Sequence, residues 1–218
     1  ITGPDSVTYT FDLHGGAEVF PLSAQSGTYN VSVYENVEGT QYASVLSQTI
    51  QVSITDEFGA FLYPNQFVNF TSSSLAVQKG SELAYYCNND TEVVESVYNY
   101  IISNFKYDYD KAKNVKSGYI PDIDKVFTEK TGICFDYASV MAAMLRSQSI
   151  PTRLEVGYAG DEYHAWISTY IKDKGWINGI IEFNGKDWNM LDPTFASTSS
   201  SPKDFIAKDS DYIVKYVY

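Results

Sequence analysis

Thr131-Gly132-Ile133-Cys134-Phe135-Asp136-Tyr137-Ala138, continued by an apolar run that closes at Pro151, decides how this chain folds. Phe135, Ala138, Ala142 and Leu145 recur at spacings of three and four, which predicts a buried helix with a cysteine in its first turn. Thr131 is expected to cap the backbone N–H groups that open this helix, and Pro151 to help close it. The unpaired N–H groups and dipole at a helix start favour negative charge, the setting in which a thiol yields a nucleophilic thiolate. A cysteine alone more often only packs, so the weight falls on its partners further along the chain.

His164 stands in Glu162-Tyr163-His164-Ala165-Trp166 and Asp192 in Met190-Leu191-Asp192-Pro193-Thr194-Phe195, each in a strand-like setting. Cys134, His164 and Asp192 follow one another at intervals of about thirty residues, enough for a helix start and two neighbouring strands to converge. A single strand histidine is usually a hydrogen-bonded structural residue, and an aspartate before proline is usually turn chemistry. Their succession behind Cys134 reverses both readings.

Gly132-x-Cys134 with Ala138, then His164-Ala165-Trp166, then Asp192-Pro193-Thr194, resembles the transglutaminase-like superfamily, a branch of the papain-type thiol enzymes, over roughly residues 85 to 218. The resemblance implies an α+β catalytic domain in which the nucleophile helix packs on an antiparallel sheet. It also implies that Cys134 is the nucleophile, His164 the general base and acid, and Asp192 the group that orients the imidazole. The chemistry is coherent: a thiolate attacks an amide or ester carbonyl, the histidine passes the thiol proton to the leaving amine, and water or a second amine resolves the acyl-thioester. The Cys134 backbone N–H is a natural oxyanion donor, and Tyr107 and Tyr119 are both candidates for a side-chain donor.

The 218 residues suffice for one large or two modest domains, and two are expected, with 44% apolar content. Acidic residues outnumber basic ones by 27 to 15, giving a net charge of −12 that disfavours a nucleic-acid partner. No apolar stretch approaches the roughly 18 residues of a membrane span, and no cleavable signal opens at Ile1. The 19 tyrosines, few lysines and abundant Ser, Thr and Asn resemble secreted or surface-exposed bacterial proteins, so an extracellular or cell-surface location with the signal peptide already removed is expected. Pairing with Cys87 would silence Cys134; Cys87 is therefore expected as a free, packed thiol.

Residues 1–80 alternate apolar and polar residues in Val7 to Phe11, Tyr29 to Tyr34 and Thr49 to Ile54, punctuated by Gly15-Gly16, Gly27 and Gly39. That pattern predicts an immunoglobulin-like β-sandwich as an accessory domain, joined through Ser72 to Gly80 to a catalytic domain at 81–218. His14, beside two glycines, is a turn residue. Asn89 with Glu92 forms a capping box opening a helix with Val93, Val94, Val97, Tyr98 and Ile101 on its apolar face. Lys106 to Lys125 is expected as a long loop, its mixed charges marking either a solvated surface or one wall of a cleft. Strands are expected at Thr152 to Tyr158 and His164 to Tyr170, then a hairpin with Ile180 to Phe183 and Trp188 to Leu191 around Asn184-Gly185-Lys186-Asp187, and a last strand at Tyr212 to Tyr218.

With two histidines 150 residues apart, no CxxC, no glycine-rich phosphate loop and no acidic run spaced for calcium, catalysis without a cofactor or metal is expected. The leading reading is an enzyme acting on amide bonds of a protein or peptide substrate, a cell-wall or surface component included. A cysteine peptidase is the nearest alternative, and a catalytically silent binding or scaffolding protein is the alternative from another class.

Overall fold

The computed structural model describes residues 1–178, 181–183, 188–190 and 212–218. Strand β1 (Gly27–Glu38) pairs antiparallel with β2 (Gln41–Val52), running from Gly27↔Val52 to Glu38↔Gln41, and Gly39 turns the chain at φ 56. Where the alternation predicts a β-sandwich over residues 1–80, the only sheet described there is this two-stranded one. The reason lies in where the apolar side chains go. Tyr29 is buried, but most of β2 faces solvent, with Tyr42 and Val45 more than 60% exposed, so among the described residues no second sheet covers the ribbon. Tyr9 and Val68 sit in the same buried cluster as the central helix, and Val7, Phe11, Phe67 and Phe70 pack against it.

Helix α1 (Leu75–Ala84) spans the expected boundary at residue 80. Gly80 allows it to lie against the central helix: a Cβ there would stand 3.0 Å from the Met144 carbonyl oxygen. Helix α2 (Asp90–Asn104) starts at the predicted cap, with the Asn89 side chain accepting from Glu92 N, but the reciprocal half of the capping box is displaced by one residue: Glu92 accepts from Asn88 N rather than from Asn89 N. Its inward face is Val93, Val94, Val97, Tyr98 and Ile101, as the spacing predicts.

The segment expected as a loop from Lys106 to Lys125 carries more structure. It contains β3 (Lys106–Tyr107), α3 (Tyr109–Asn114) and the start of α4 (Ile123–Glu129), and β3 pairs in parallel with β4 (Thr131–Gly132). Asp108 and Asp122 each cap a short helix by accepting from the backbone N–H three residues on, at Lys111 and Lys125.

Helix α5 (Cys134–Arg146) is the centre of the molecule and is buried on almost every side. Helices α1, α2 and α4 pack on one side of it, and β5 (Thr152–Ala159) and β6 (Glu162–Ile171) on the other. Met141, Met144, Leu145, Leu154 and Ile167 are fully buried, each contributing about 1.5–3 kcal/mol relative to exposure. The sheet continues with β7 (Gly175–Asn178) beyond β6. Strands β8 (Ile181–Phe183) and β9 (Trp188–Met190) form the expected hairpin, whose turn at 184–187 lies outside the described residues. Strand β10 (Tyr212–Val217) joins the other edge, giving the antiparallel order β10-β5-β6-β7. Arg146, at the end of α5, donates to three carbonyls, those of Thr152, Tyr63 and Tyr218, and so ties the helix to the start of β5 and to the chain's last residue.

Gly157 lies where β10 bulges between Val214 and Tyr216. A Cβ at this position would come within 2.0 Å of the Ile213 carbonyl oxygen, a backbone atom that can retreat only by breaking the β5–β10 pairing. Gly157→Ala is expected to cost about 3 kcal/mol in denaturant unfolding, and a cost near zero would show that the pairing yields.

Candidate active site

Cys134 is the first residue of α5, and its neighbour Ile133 occupies the cap position without a side-chain acceptor. Thr131, expected as the cap, instead directs its hydroxyl to the Glu129 carbonyl. The helix start is held from inside: Asp136 folds back and accepts from Ile133 N at 2.8 Å. Gly132 makes room for this, because a Cβ there would stand 2.6 Å from the Asp136 Cβ. The spacing Gly132-x-Cys134-x-Asp136 is thus a backbone device that fixes the direction of the first helical turn.

Asp136 is fully buried and is shared further. It accepts from Lys111 Nζ at 2.6 Å and from the Tyr119 hydroxyl at 2.5 Å, while Lys111 Nζ also reaches Tyr119 Oη at 2.7 Å. Burial and the Asp136 hydrogen bond push the Tyr119 phenol well above its ordinary range, so its proton stays on the oxygen. This closed triangle ties α3 and the segment around Tyr119 to the turn that carries Cys134.

A cleft of about 900 Å³ opens over that turn. Cys134, Phe135, Tyr107 and Tyr119 line it from the helical side, and Tyr163 and His164 from β6. The structure therefore brings Cys134 and His164 to one cleft. Asp192 lies outside the described residues. Cys134 is partly exposed and unbridged, while Cys87 is a free thiol packed against Leu83 O and Ser96.

His164 is 5% exposed and sits opposite Gly157 on β5. Its ring stacks on Trp166 with centroids 6.3 Å apart, and the Trp166 indole N–H donates to Glu155 Oε2 at 2.7 Å. Ser168 donates to the same oxygen at 2.7 Å. Burial raises the Glu155 carboxyl above its ordinary range, opposed by the Ser168 and Trp166 hydrogen bonds and the field of Arg153. The folded protein therefore holds this proton where the unfolded chain has already released it. Stability falls as pH rises from the ordinary carboxylate range through the raised value, and levels off above it. Glu155→Gln is expected to remove that fall in a series of denaturant midpoints against pH; parallel curves for the two proteins would refute the assignment.

Sequence reasoning misses Asp136, Lys111 and Glu155. The signal for Asp136 is an acidic residue at the third helical position beside a glycine with no room for a side chain. Lys111 and Glu155 have none, since each acquires its partners only through tertiary contacts.

A cysteine at the mouth of a buried helix and a strand histidine lining one cleft, on an antiparallel sheet, define an α+β fold of the papain type. Residues 80–179 match the model of the transglutaminase-like superfamily. The chain is 23% identical over 206 residues to the uncharacterized protein YebA of Bacillus subtilis, covering 77% of this chain and 26% of YebA. It is 27% identical over 108 residues to a protein-glutamine gamma-glutamyltransferase of Pseudomonas aeruginosa, covering 41% of this chain and 14% of that one. A solved structure from Cytophaga hutchinsonii, provisionally described as a cysteine protease, superposes with a TM-score of 0.50 at 17% identity, covering 92% of this chain and 74% of that chain. The chain spans less than a third of the length of the curated relatives it matches. Among the described residues no helix is long and apolar enough to cross a membrane.

Proposed function

We propose that this protein is a cysteine-dependent enzyme that cleaves or transfers the acyl group of amide bonds in protein or peptide substrates through a thioester on Cys134. The observation that carries the reading is that Cys134, at the start of α5, and His164, on β6, line one cleft. In the proposed cycle the Cys134 sulfur attacks the carbonyl carbon while the His164 imidazole takes the thiol proton. The imidazolium then protonates the departing nitrogen as the C–N bond breaks, leaving an acyl-thioester. Water or a second amine attacks that thioester, gives its proton to His164 and restores the thiol. Asp192 is assigned the orientation of the imidazole.

The developing oxyanion is assigned to the Cys134 backbone N–H, which makes no hydrogen bond among the described residues. Tyr119, one of two candidate side-chain donors, has its hydroxyl proton committed to Asp136, which favours Tyr107 as the tyrosine to test first. An extracytoplasmic place of action is part of the proposal and is supported by the tyrosine-rich, acidic composition.

Mass spectrometry of a mixed peptide and amine pool after incubation tests the reading and identifies the acceptor. A gain of about one dalton marks hydrolysis of a side-chain amide, addition of the amine with loss of ammonia marks acyl transfer, and chain scission marks a peptidase. None of these products from a folded protein would leave the binding or scaffolding alternative.

A further inference from the structure

The molecule has two substantially buried arginines that are treated very differently. Arg146 gives Nε, Nη1 and Nη2 to three carbonyls. Arg153, on β5, makes no hydrogen bond or ion pair among the described residues, and its Nε is buried without a partner. Its guanidinium carbon lies 3.7 Å from the centroid of the Trp176 ring and 5.0 Å from that of Phe61. These aromatic contacts hold the guanidinium in place without using its donors.

Arg153 lines a cavity of about 500 Å³ between the sheet and the segments 19–25 and 54–65. This cavity shares no lining residue with the Cys134 cleft. Two more of its lining residues carry orphan polar atoms: Ser23 Oγ and Asn65 Nδ2 are buried without hydrogen-bond partners among the described residues. Asn65 is 6% exposed, and its Oδ1 accepts from Phe67 N and Val68 N, which leaves its amide donor unused. Buried donors left unpaired in a folded protein call for a ligand that accepts. Burial pulls the ionisation of Arg153 down, but Glu155 and Glu57 oppose this with their fields.

The rim of the same cavity is acidic. Asp56 and Glu57 both line it and are exposed. Asp56 Oδ1 is taken by Phe58 N, whereas Glu57 makes no hydrogen bond among the described residues. A dianion such as phosphate would meet the guanidinium but be opposed by both carboxylates. A molecule carrying a carboxylate and an ammonium group on the same carbon satisfies both sides. We propose that the Arg153 cavity is a binding site for a free amino acid, with its carboxylate on the Arg153 fork and its ammonium group at Glu57, separate from the Cys134 cleft.

Binding is tested on the chain by isothermal titration with free amino acids from alanine to phenylalanine, with N-acetyl-alanine, alaninamide and inorganic phosphate as the other probes. A free amino acid is expected to bind saturably, and both N-acetylation and amidation to weaken it at least about tenfold. Arg153→Lys keeps the charge but loses the fork and is expected to weaken binding about tenfold as well. Cys134→Ala should bind the amino acid like the parent, so this test stands or fails apart from the proposed catalysis. Absence of saturable binding below about 10 mM for every free amino acid would overturn the proposal. So would equal binding of the N-acetyl form, or tighter binding of phosphate. The blocked ligands decide the matter on the parent protein even where the arginine variant does not fold.

Discussion

Replacing Cys134 by Ala is expected to lower turnover about ten-thousand-fold while leaving the fold intact. The effect is large because no other group near the cleft mouth can form a thioester: Cys87 is packed behind α1 and α2 against Leu83 and Ser96. The structural cost is small because Cys134 is partly exposed at the rim of the core, and the first turn of α5 is held by the Asp136 carboxylate rather than by sulfur. The loss of one sulfur atom should therefore move the denaturant midpoint little, with a stability change under about 1 kcal/mol. His164→Ala should bring a comparable loss of turnover. A Cys134→Ala protein that unfolds like its parent and still forms product at the parent rate would end the proposed mechanism.

Asp136→Ala is expected to be the most destabilising single change in the site, at about 3–5 kcal/mol. It strands three donors together: the Ile133 N–H, the Lys111 ammonium and the Tyr119 hydroxyl. The Lys111 side chain is 27% exposed and Asp136 fully buried, so the pair is not a surface bridge that water can replace. Asp136→Asn, which can still accept from one or two donors, should lose about half as much. Denaturant unfolding of the two variants settles the point, and a cost below about 1 kcal/mol for the alanine variant would show that the triangle carries little of the stability. Because the triangle anchors one cleft wall, the asparagine variant should also lose activity more than its remaining stability explains.

Much of the part of the chain from α2 onward is legible in its sequence. The three-and-four spacing from Phe135 to Leu145 locates α5, Asn89 with Glu92 locates the start of α2, and alternation locates β5 and β6. These signals are local, set by the period of one element and the cap at its end. The ribbon β1–β2 shows where local signals stop. Alternation specifies a strand with two unlike faces but not what covers either face, and here Tyr9, Phe11 and Phe67 leave their own segment to pack around the helices. The segment from Lys106 to Lys125 reads as a loop because α3 and α4 are each only a turn or two long, too short to build a periodic apolar face. Asp108 and Asp122, three residues ahead of Lys111 and Lys125, are the available clue. Of the site, Cys134 and His164 are readable from their neighbours. The Asp136 triangle is not, because its members come from three separate stretches.

The cleft is not built from the transglutaminase-like segment alone. Thr10, Asp12, Gln66 and Phe67 line it from the leading part of the chain, and so does Tyr42, which reaches it from the far end of the ribbon. A shortened protein beginning at α2 would keep its thiol and imidazole yet lose this side of the cleft, leaving them more open to bulk water. Whatever discrimination the protein shows between water and an amine at the thioester would then depend in part on residues that precede the matched segment.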